Sequence, residues 1–234
     1  PFWDVEAAVA ELQRCVERGH RAVNMCNQPQ DYGQPPLGHR HWDPVWAAAQ
    51  EAGVSISFHV GGGSMGTQMQ DTAEMGWMTN FAKVSSLIFM DNMRCIGDLI
   101  FGGVCHRFPE LRFVSVESGV GWIPAALETF DWQWRNGGVG LEHPEYDLLP
   151  SEYFQRQIYG CFWFERGAAR AAIERYADNL LFESDYPHPT CQHPGPRTPA
   201  QRPRDYATET LGDLPDDVLA KVLHDNAAAL YGVP

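Results

Sequence analysis

The hydrophobic positions along the chain follow two alternating patterns. Short apolar runs end in polar side chains, as buried strands do, and between them lie segments with apolar residues at helical spacing. The predicted strands are "RAVNMC", "VSISFHV", "RFVSVES", "QIYGCFWFE" and "NLLFESD", at residues 21–26, 54–60, 112–118, 157–165 and 179–185. The predicted helices lie at residues 4–20, 42–54, about 80–101, 121–134, 167–177 and 215–231. A glycine-rich loop is predicted at residues 61–70, and an insert with turn residues at about 136–152.

This order of elements predicts an α/β fold, in which a parallel sheet is covered by helices. Ligands bind to such sheets at the carboxyl ends of the strands. All of the predicted strand ends carry polar or metal-competent side chains. They are Asn24 and Cys26, then His59, then Glu117 and Ser118, then Glu165, and finally Glu183, Asp185 and His188. The sequence therefore predicts a functional site at this edge of the sheet.

Composition narrows the class of protein. With 234 residues, 44% of them hydrophobic and 20% charged, the chain can bury a sizeable core. Its formal net charge of -13 argues against nucleic acid or an anionic membrane as a partner. Neither a signal peptide nor an apolar run of bilayer length is found. The six cysteines are scattered without a Cys-x-x-Cys pair, which favours reduced thiols and a cytoplasmic location over disulfides or a zinc finger.

Two strand ends carry the main candidates for a metal site. His59 ends an apolar run and is followed by glycines, which leave room for a ligand above the ring. Asp185 ends the last strand, and Pro187 and Pro189 argue against its being a helix cap. Imidazole and carboxylate donors around an open coordination position are typical of hydrolytic divalent metals. We therefore predict His59 and Asp185 as metal ligands, with Asp185 also acting as a catalytic proton acceptor.

Three other polar residues accompany this pair. Glu117 is a candidate catalytic acid or further metal donor, and pairing with a basic residue is the alternative. His188 lies beyond the sheet layer, which suits substrate contact or proton transfer better than metal ligation, although it too could supply a third donor. Glu183 faces the same side of the strand as Asp185, because the two are two positions apart. We expect Glu183 deeper in the fold, supporting the site without contacting the ion.

Four stretches of the chain, in this order, resemble one known family. They are "VSISFHVGGG", "RFPELRFVSVESGVGWIPAALETFD", "NLLFESDYPHPT" and "VLHDNAAALYG". They resemble the amidohydrolase-2 (amidohydrolase-related) proteins of the metal-dependent (β/α)8-barrel superfamily, which includes hydrolases as well as aminocarboxymuconate-semialdehyde and hydroxybenzoate-type decarboxylases. The resemblance implies that His59 is the metal-ligand histidine after the fifth strand and Asp185 the metal-ligand aspartate after the eighth. Where many members have a catalytic histidine after the sixth strand, this chain has Glu117, a departure from their proton-transfer scheme.

The resemblance also implies elements that this sequence does not contain. Nothing before "RAVNMC" matches the family's first-strand His-x-His-like motif, and about five strands are found where a full barrel has eight. We therefore expect residues 1–234 to form a single barrel domain, a TIM-like (β/α)8 barrel incomplete here, with about strands 4–8. Such a barrel would be open, or closed by another chain, and would lack part of its metal site.

The leading functional hypothesis is a metal-dependent hydrolase that acts on a small organic substrate through metal-activated water, with zinc or alternatively manganese as the ion. The second hypothesis is a metal-dependent non-oxidative decarboxylase of an aromatic or unsaturated carboxylic acid. A third, of another class, is a non-catalytic barrel fragment that acts as a binding module. The expected partners are a small-molecule substrate and, through exposed sheet edges, a second copy of the chain.

Overall fold

The structure is a computed structural model that describes residues 1–63, 72–195, 198 and 200–233. Its central feature is a parallel β-sheet. Its strands are β1 (Ala22–Met25), β2 (Ser55–His59), β3 (Phe113–Val116), β4 (Ile158–Phe162) and β5 (Leu180–Phe182). All neighbouring strands are parallel, and their order in the sheet is their order in the chain. The predicted α/β class is confirmed, and the five-stranded sheet is consistent with part of a TIM-like barrel.

The register of the sheet brings the carboxyl ends of the strands to one edge. His59, the last residue of β2, lies opposite Val116, the last residue of β3. Phe162 and Phe182, the last residues of β4 and β5, lie opposite each other. The polar residues that follow each strand therefore emerge at the same level, as the sequence predicts for a site at this edge.

Helices connect the strands and account for most of the remaining chain. The α-helices are Val5–Glu17, Asp43–Ala52, Thr72–Met75, Trp77–Leu87, Phe89–Phe101, Val104–Arg107, Ile123–Asn136, Val139–Glu142, Pro150–Gln157, Gly167–Tyr176, Pro203–Tyr206, Asp216–Ala220 and Asn226–Tyr231. Short 3-10 helices lie at Pro29–Tyr32, Arg40–Trp42 and Ala177–Asn179, and π-helical turns at Ala207–Leu211 and Lys221–Asp225. No helix among the described residues is long and apolar enough to cross a membrane.

Two sequence predictions about helices need correction. The single helix predicted at about 80–101 is two helices, Trp77–Leu87 and Phe89–Phe101, which meet at Ile88. The predicted insert at 136–152 contains the start of helix Pro150–Gln157, where the Glu152 carboxylate accepts a hydrogen bond from the Leu149 N–H at 2.7 Å. Proline at a first helical position signals a helix start as well as a turn, and the loop prediction overlooked this. Residues 64–70 of the predicted glycine-rich loop lie outside the described residues.

The two faces of the sheet differ greatly in how much they bury. One face packs against the helices through a large apolar core, with Phe58, Phe113 and Phe162 fully buried. The other face carries a much smaller cluster, centred on Val114, Cys161 and Leu181 and packed against residues that include Ala227 and Leu230 of the last helix. Because side chains alternate along a strand, Glu183 belongs to this second face.

Candidate active site

Two acidic residues at neighbouring points of the sheet edge share an unusual backbone conformation. Glu117, directly after β3, has a φ of 55°, and Asp185, three residues after β5, has a φ of 57°. This left-handed conformation is uncommon outside glycine, and holding a residue there costs about 1–3 kcal/mol unless the side chain tolerates it. Such conformations persist where the surrounding contacts fix them, and they are frequent at functional sites.

His59 contacts the Glu117 carboxylate. Nε2 of His59 lies 2.6 Å from Oε2 of Glu117, and Nδ1 lies 2.7 Å from the carbonyl oxygen of Val60. Since a carbonyl oxygen can only accept, Nδ1 carries a proton, and in the neutral ring Nε2 presents a lone pair to the carboxylate. The hydrogen bond with Glu117 raises the pKa of His59 to about 9.

Glu117, Asp185 and His188 form a compact cluster. One ligand atom from each of the three lies within 4.8 Å of the others. Nδ1 of His188 lies 3.0 Å from Oδ2 of Asp185 and 3.6 Å from Oε1 of Glu117. Burial and the negative charge of Glu117 raise the pKa of Asp185 to about 6. Burial acts in the same direction on Glu117, but the hydrogen bond and charge of His59 outweigh it and hold the pKa of Glu117 below its ordinary value.

The chemistry of these donors fits a divalent cation. Oδ2 of Asp185 is buried without a hydrogen bond of acceptable geometry, although it lies close to His188. Two carboxylates with adjoining imidazole nitrogens concentrate negative charge and lone pairs, which a divalent ion neutralises. The Nδ1–H of His59 is held by a carbonyl, which leaves Nε2 as its donor atom, as is usual in metal sites.

Glu183 lies beneath this cluster. Its Oε1 accepts a hydrogen bond from the backbone N–H of Glu117 at 3.1 Å. Burial and the charge of Glu117 raise the pKa of Glu183 to about 8. The thiol of Cys161, on the same face of β4, is buried beside it. Glu183 thus connects the end of β5 to the end of β3 across β4.

A buried asparagine, which the sequence reasoning missed, ties the strand ends together from the other face. Nδ2 of Asn92 donates to the carbonyl oxygen of Phe58 at 2.9 Å and lies 3.0 Å from Oγ of Ser115. Oδ1 of Asn92 accepts from Asn27 at 2.7 Å. The available signal was a polar residue on the apolar face of helix Phe89–Phe101. A fully buried amide of this kind normally has a hydrogen-bonding role.

Two other polar strand-end residues, Glu165 and Cys26, form hydrogen bonds with the backbone of neighbouring loops. Oε1 of Glu165 accepts hydrogen bonds from the backbone N–H groups of Val120 and Gly121, at 2.7 and 2.8 Å. These groups precede helix Ile123–Asn136, so Glu165 fixes the turn that leads into it. The thiol of Cys26 donates to the carbonyl oxygen of Gly62 at 3.1 Å.

A cavity of about 760 Å³ opens at the carboxyl edge of the sheet. His59, Glu117 and His188 lie in its wall. The wall also contains aromatic residues, among them Phe81, Phe89, Trp163 and Phe164. The ring of Phe89 is 5.9 Å from both Trp163 and Phe164, centroid to centroid. The cavity can therefore hold a small organic molecule between an apolar wall and the polar cluster.

The structure brings all four predicted site residues to one edge. His59 contacts Glu117, and Glu117 in turn forms a cluster with Asp185 and His188. Glu117 thus lies between the two residues predicted from the sequence as metal ligands. The assignment of individual roles to the four remains a prediction.

The parallel sheet in chain order is consistent with part of a TIM-like barrel, and carboxylate and imidazole groups that could hold a metal ion lie at its carboxyl edge. The family model described as Amidohydrolase matches residues 2–233. The chain belongs to this amidohydrolase family, which confirms the resemblance in the sequence.

Similar solved structures have the same fold. An amidohydrolase from Mycobacterium avium subsp. paratuberculosis aligns with a TM-score of 0.74 and 24% identity, over 98% of this chain and 56% of that one. 5-Carboxyvanillate decarboxylase from Sphingomonas paucimobilis aligns with a TM-score of 0.71 and 20% identity, over 99% and 64%. The chain therefore spans less than two thirds of the length of these two proteins.

A third structure contains a metal ion. It is a 5-carboxyvanillate decarboxylase from Novosphingobium aromaticivorans in complex with manganese and 4-hydroxy-3-methoxy-5-nitrobenzoic acid, with a TM-score of 0.68 and 16% identity over 99% of this chain and 62% of that one. At identities this low, the structural similarity establishes a common fold and nothing more. A comparison with curated proteins found no significant match.

Proposed function

We propose that the protein is a metal-dependent hydrolase of the amidohydrolase family that acts on a small organic substrate. The observation that carries this proposal is the convergence of Glu117, Asp185 and His188 at the carboxyl edge of the sheet. Three such donors from the ends of two strands, β3 and β5, lie beside a cavity. They suit a catalytic metal better than a structural one, because the cavity leaves a coordination position open.

The residues that would hold the ion are Glu117, Asp185 and His188, with Nε2 of His59 as a further donor next to Glu117. A divalent ion in such a site supplies Lewis-acid polarisation of the substrate and activation of water at neutral pH. Manganese in a solved structure of the same fold supports a divalent ion, and zinc is the alternative.

The side chains around the cluster have distinct tasks. Oδ2 of Asp185 is buried 3.0 Å from Nδ1 of His188, and we assign the Asp185 carboxylate to accept the proton of the attacking water. His188 lies in the cavity wall next to Asp185, where its ring can also contact the substrate. The aromatic wall excludes bulk water and holds the apolar part of the substrate.

Metal binding and substrate panels test this proposal. Isothermal titration of the whole chain with manganese and zinc should show binding, which Asp185→Asn weakens and Asp213→Asn does not. Asp213 is an exposed partner of Arg170 and makes a matched control for loss of one carboxylate. With the bound ion, amides and esters of small acids should be hydrolysed. A chain that binds neither ion would contradict the proposal.

A second function is favoured by the aromatic cavity wall. We propose as this alternative the non-oxidative decarboxylation of an aromatic carboxylic acid, since Phe89, Trp163 and Phe164 offer ring surfaces to a planar substrate. Two of the similar structures are decarboxylases of a substituted aromatic acid, which supports this option. Release of labelled carbon dioxide from carboxyl-labelled 5-carboxyvanillate, without hydrolysis of the amide and ester panel, would select it.

A further inference from the structure

The conformation of Glu117 needs an explanation from its surroundings. Its left-handed backbone, with a φ of 55°, follows directly on an extended strand and belongs to a residue that does not favour it. The same backbone turn directs the carboxylate to both His59 and the Asp185–His188 pair. Whatever holds this turn therefore also sets the geometry of the cluster.

Glu183 makes the contact that can hold the turn. Its Oε1 accepts the N–H of Glu117 at 3.1 Å, at a point beyond the last paired residues of β3 and β4. The N–H of Glu117 has no partner in the strand pairing and needs an acceptor. Glu183 provides an oxygen for it, next to the Cys161 sulfur, which the same N–H also approaches. The carboxyl group of Glu183 is itself largely buried, so its position is fixed by packing on this face.

We propose that Glu183 is a positioning residue, whose side-chain oxygen holds the Glu117 backbone in the left-handed conformation that places its carboxylate in the cluster. The metal-dependent part of this inference rests on the proposed function. Glu183 lies beneath the donors and acts through Glu117, so its role depends on a hydrogen-bond acceptor at this point and not on its negative charge.

Two substitutions at Glu183 test whether its acceptor oxygen or its negative charge is needed. Glu183→Gln keeps an acceptor oxygen and removes the charge, whereas Glu183→Met fills similar volume without an acceptor of comparable strength. Leu181→Met is the matched control, because Leu181 is buried two residues earlier on the same face of β5. Glu183→Ala, which admits water to the space, replaces Glu183→Met if the latter does not fold.

The first measurement needs no metal. Amide hydrogen exchange of Glu117, followed by NMR in the metal-free protein, should remain slow in Glu183→Gln and Leu181→Met and become at least about tenfold faster in Glu183→Met. The second measurement is titration with manganese. Affinity should stay within about threefold of wild type in Glu183→Gln and fall about tenfold or more in Glu183→Met, the range expected for groups that orient ligands.

These measurements test the positioning role of Glu183 separately from the metal-dependent function. Unchanged exchange at Glu117 in a folded Glu183→Met or Glu183→Ala protein overturns the positioning role, and so does a loss in Glu183→Gln as large as in Glu183→Met. If wild-type protein binds no manganese or zinc, the proposed metal-dependent function fails. The exchange comparison still decides whether Glu183 positions Glu117.

Discussion

Glu117 and Asp185 adopt the same left-handed backbone conformation, and their carboxyl groups meet although 68 positions separate them in the sequence. They are the two non-glycine residues with positive φ among the residues that the structure describes. Both follow strands, and both turn their side chains toward His188. The backbone at two strand ends is thus bent in the same way so that like-charged groups come together, which is unfavourable without a cation.

Because the backbone at Glu117 is left-handed, we expect glycine to be tolerated better than alanine at this position. Glu117→Gly and Glu117→Ala both delete the carboxylate, but only glycine adopts a positive φ freely. We expect Glu117→Gly to exceed Glu117→Ala in free energy of unfolding by about 1 kcal/mol, measured by urea denaturation.

The neighbouring residue supplies the control for this comparison. Val116 is the last residue of β3 and has extended backbone, so Val116→Ala should be the more stable of the pair Val116→Ala and Val116→Gly. The same order at both positions would show that Glu117 is not held in a left-handed conformation.

Loss of the Asp185 carboxylate should affect metal binding far more than folding. Asparagine tolerates a positive φ nearly as well as aspartate, so Asp185→Asn should change the free energy of unfolding by less than about 1 kcal/mol. Manganese affinity should fall about 100-fold by calorimetry, since a charged donor is lost. A stable variant with wild-type affinity would exclude Asp185 as a ligand.

The aromatic wall should contribute to substrate binding rather than to stability. Phe164 lines the cavity and is 49% exposed, so Phe164→Leu should leave the unfolding midpoint nearly unchanged. Under the proposed decarboxylase function, binding of a planar aromatic acid, tested with 4-hydroxy-3-methoxy-5-nitrobenzoic acid, should weaken about fivefold, the effect of one aromatic contact. Trp132→Leu, at an exposed position that is not among those named in the cavity wall, is the control. Equal weakening by both variants would contradict a specific role for Phe164.

Glu165 should make stability depend on pH. Burial raises the pKa of this carboxyl above its ordinary value of 4.5, so the folded state favours the neutral form. Its contribution is fully present below pH 4.5 and is lost as the pH rises through the folded-state pKa. Glu165→Gln keeps an acceptor for the Val120 and Gly121 N–H groups and removes the titration. The difference in unfolding free energy between wild type and variant should therefore shift in favour of the variant from pH 4.5 to pH 8. Parallel pH profiles would refute this.

The sequence was sufficient to predict the strands and the edge at which the site lies. Runs such as "VSISFHV" and "NLLFESD" are both apolar and terminated by polar residues, and the parallel order follows from the helices between them. The helix boundaries were less well predicted, because the break at Ile88 leaves no proline or glycine in the sequence.

The contacts among the site residues could not be predicted in the same way. That Glu117 would lie between His59 and Asp185 depends on a positive φ at a glutamate, which no local pattern indicates. The role of Asn92 depends on which strand-end carbonyl groups its helix brings within reach of the amide, here those of Phe58 and Val116. These are consequences of tertiary packing, whereas the strand pattern is local.

His59, Glu117 and Asp185 come from three well-separated parts of the chain, so the cluster and its neighbour His59 come together only when β2, β3 and β5 are all in place. An unfolded chain offers these donors singly, and loop-closure entropy opposes bringing them together. An ion that binds the cluster would therefore bind the folded protein much more tightly than the unfolded chain. Each tenfold increase in its free concentration above the dissociation constant would add about 1.4 kcal/mol to the stability of the native state.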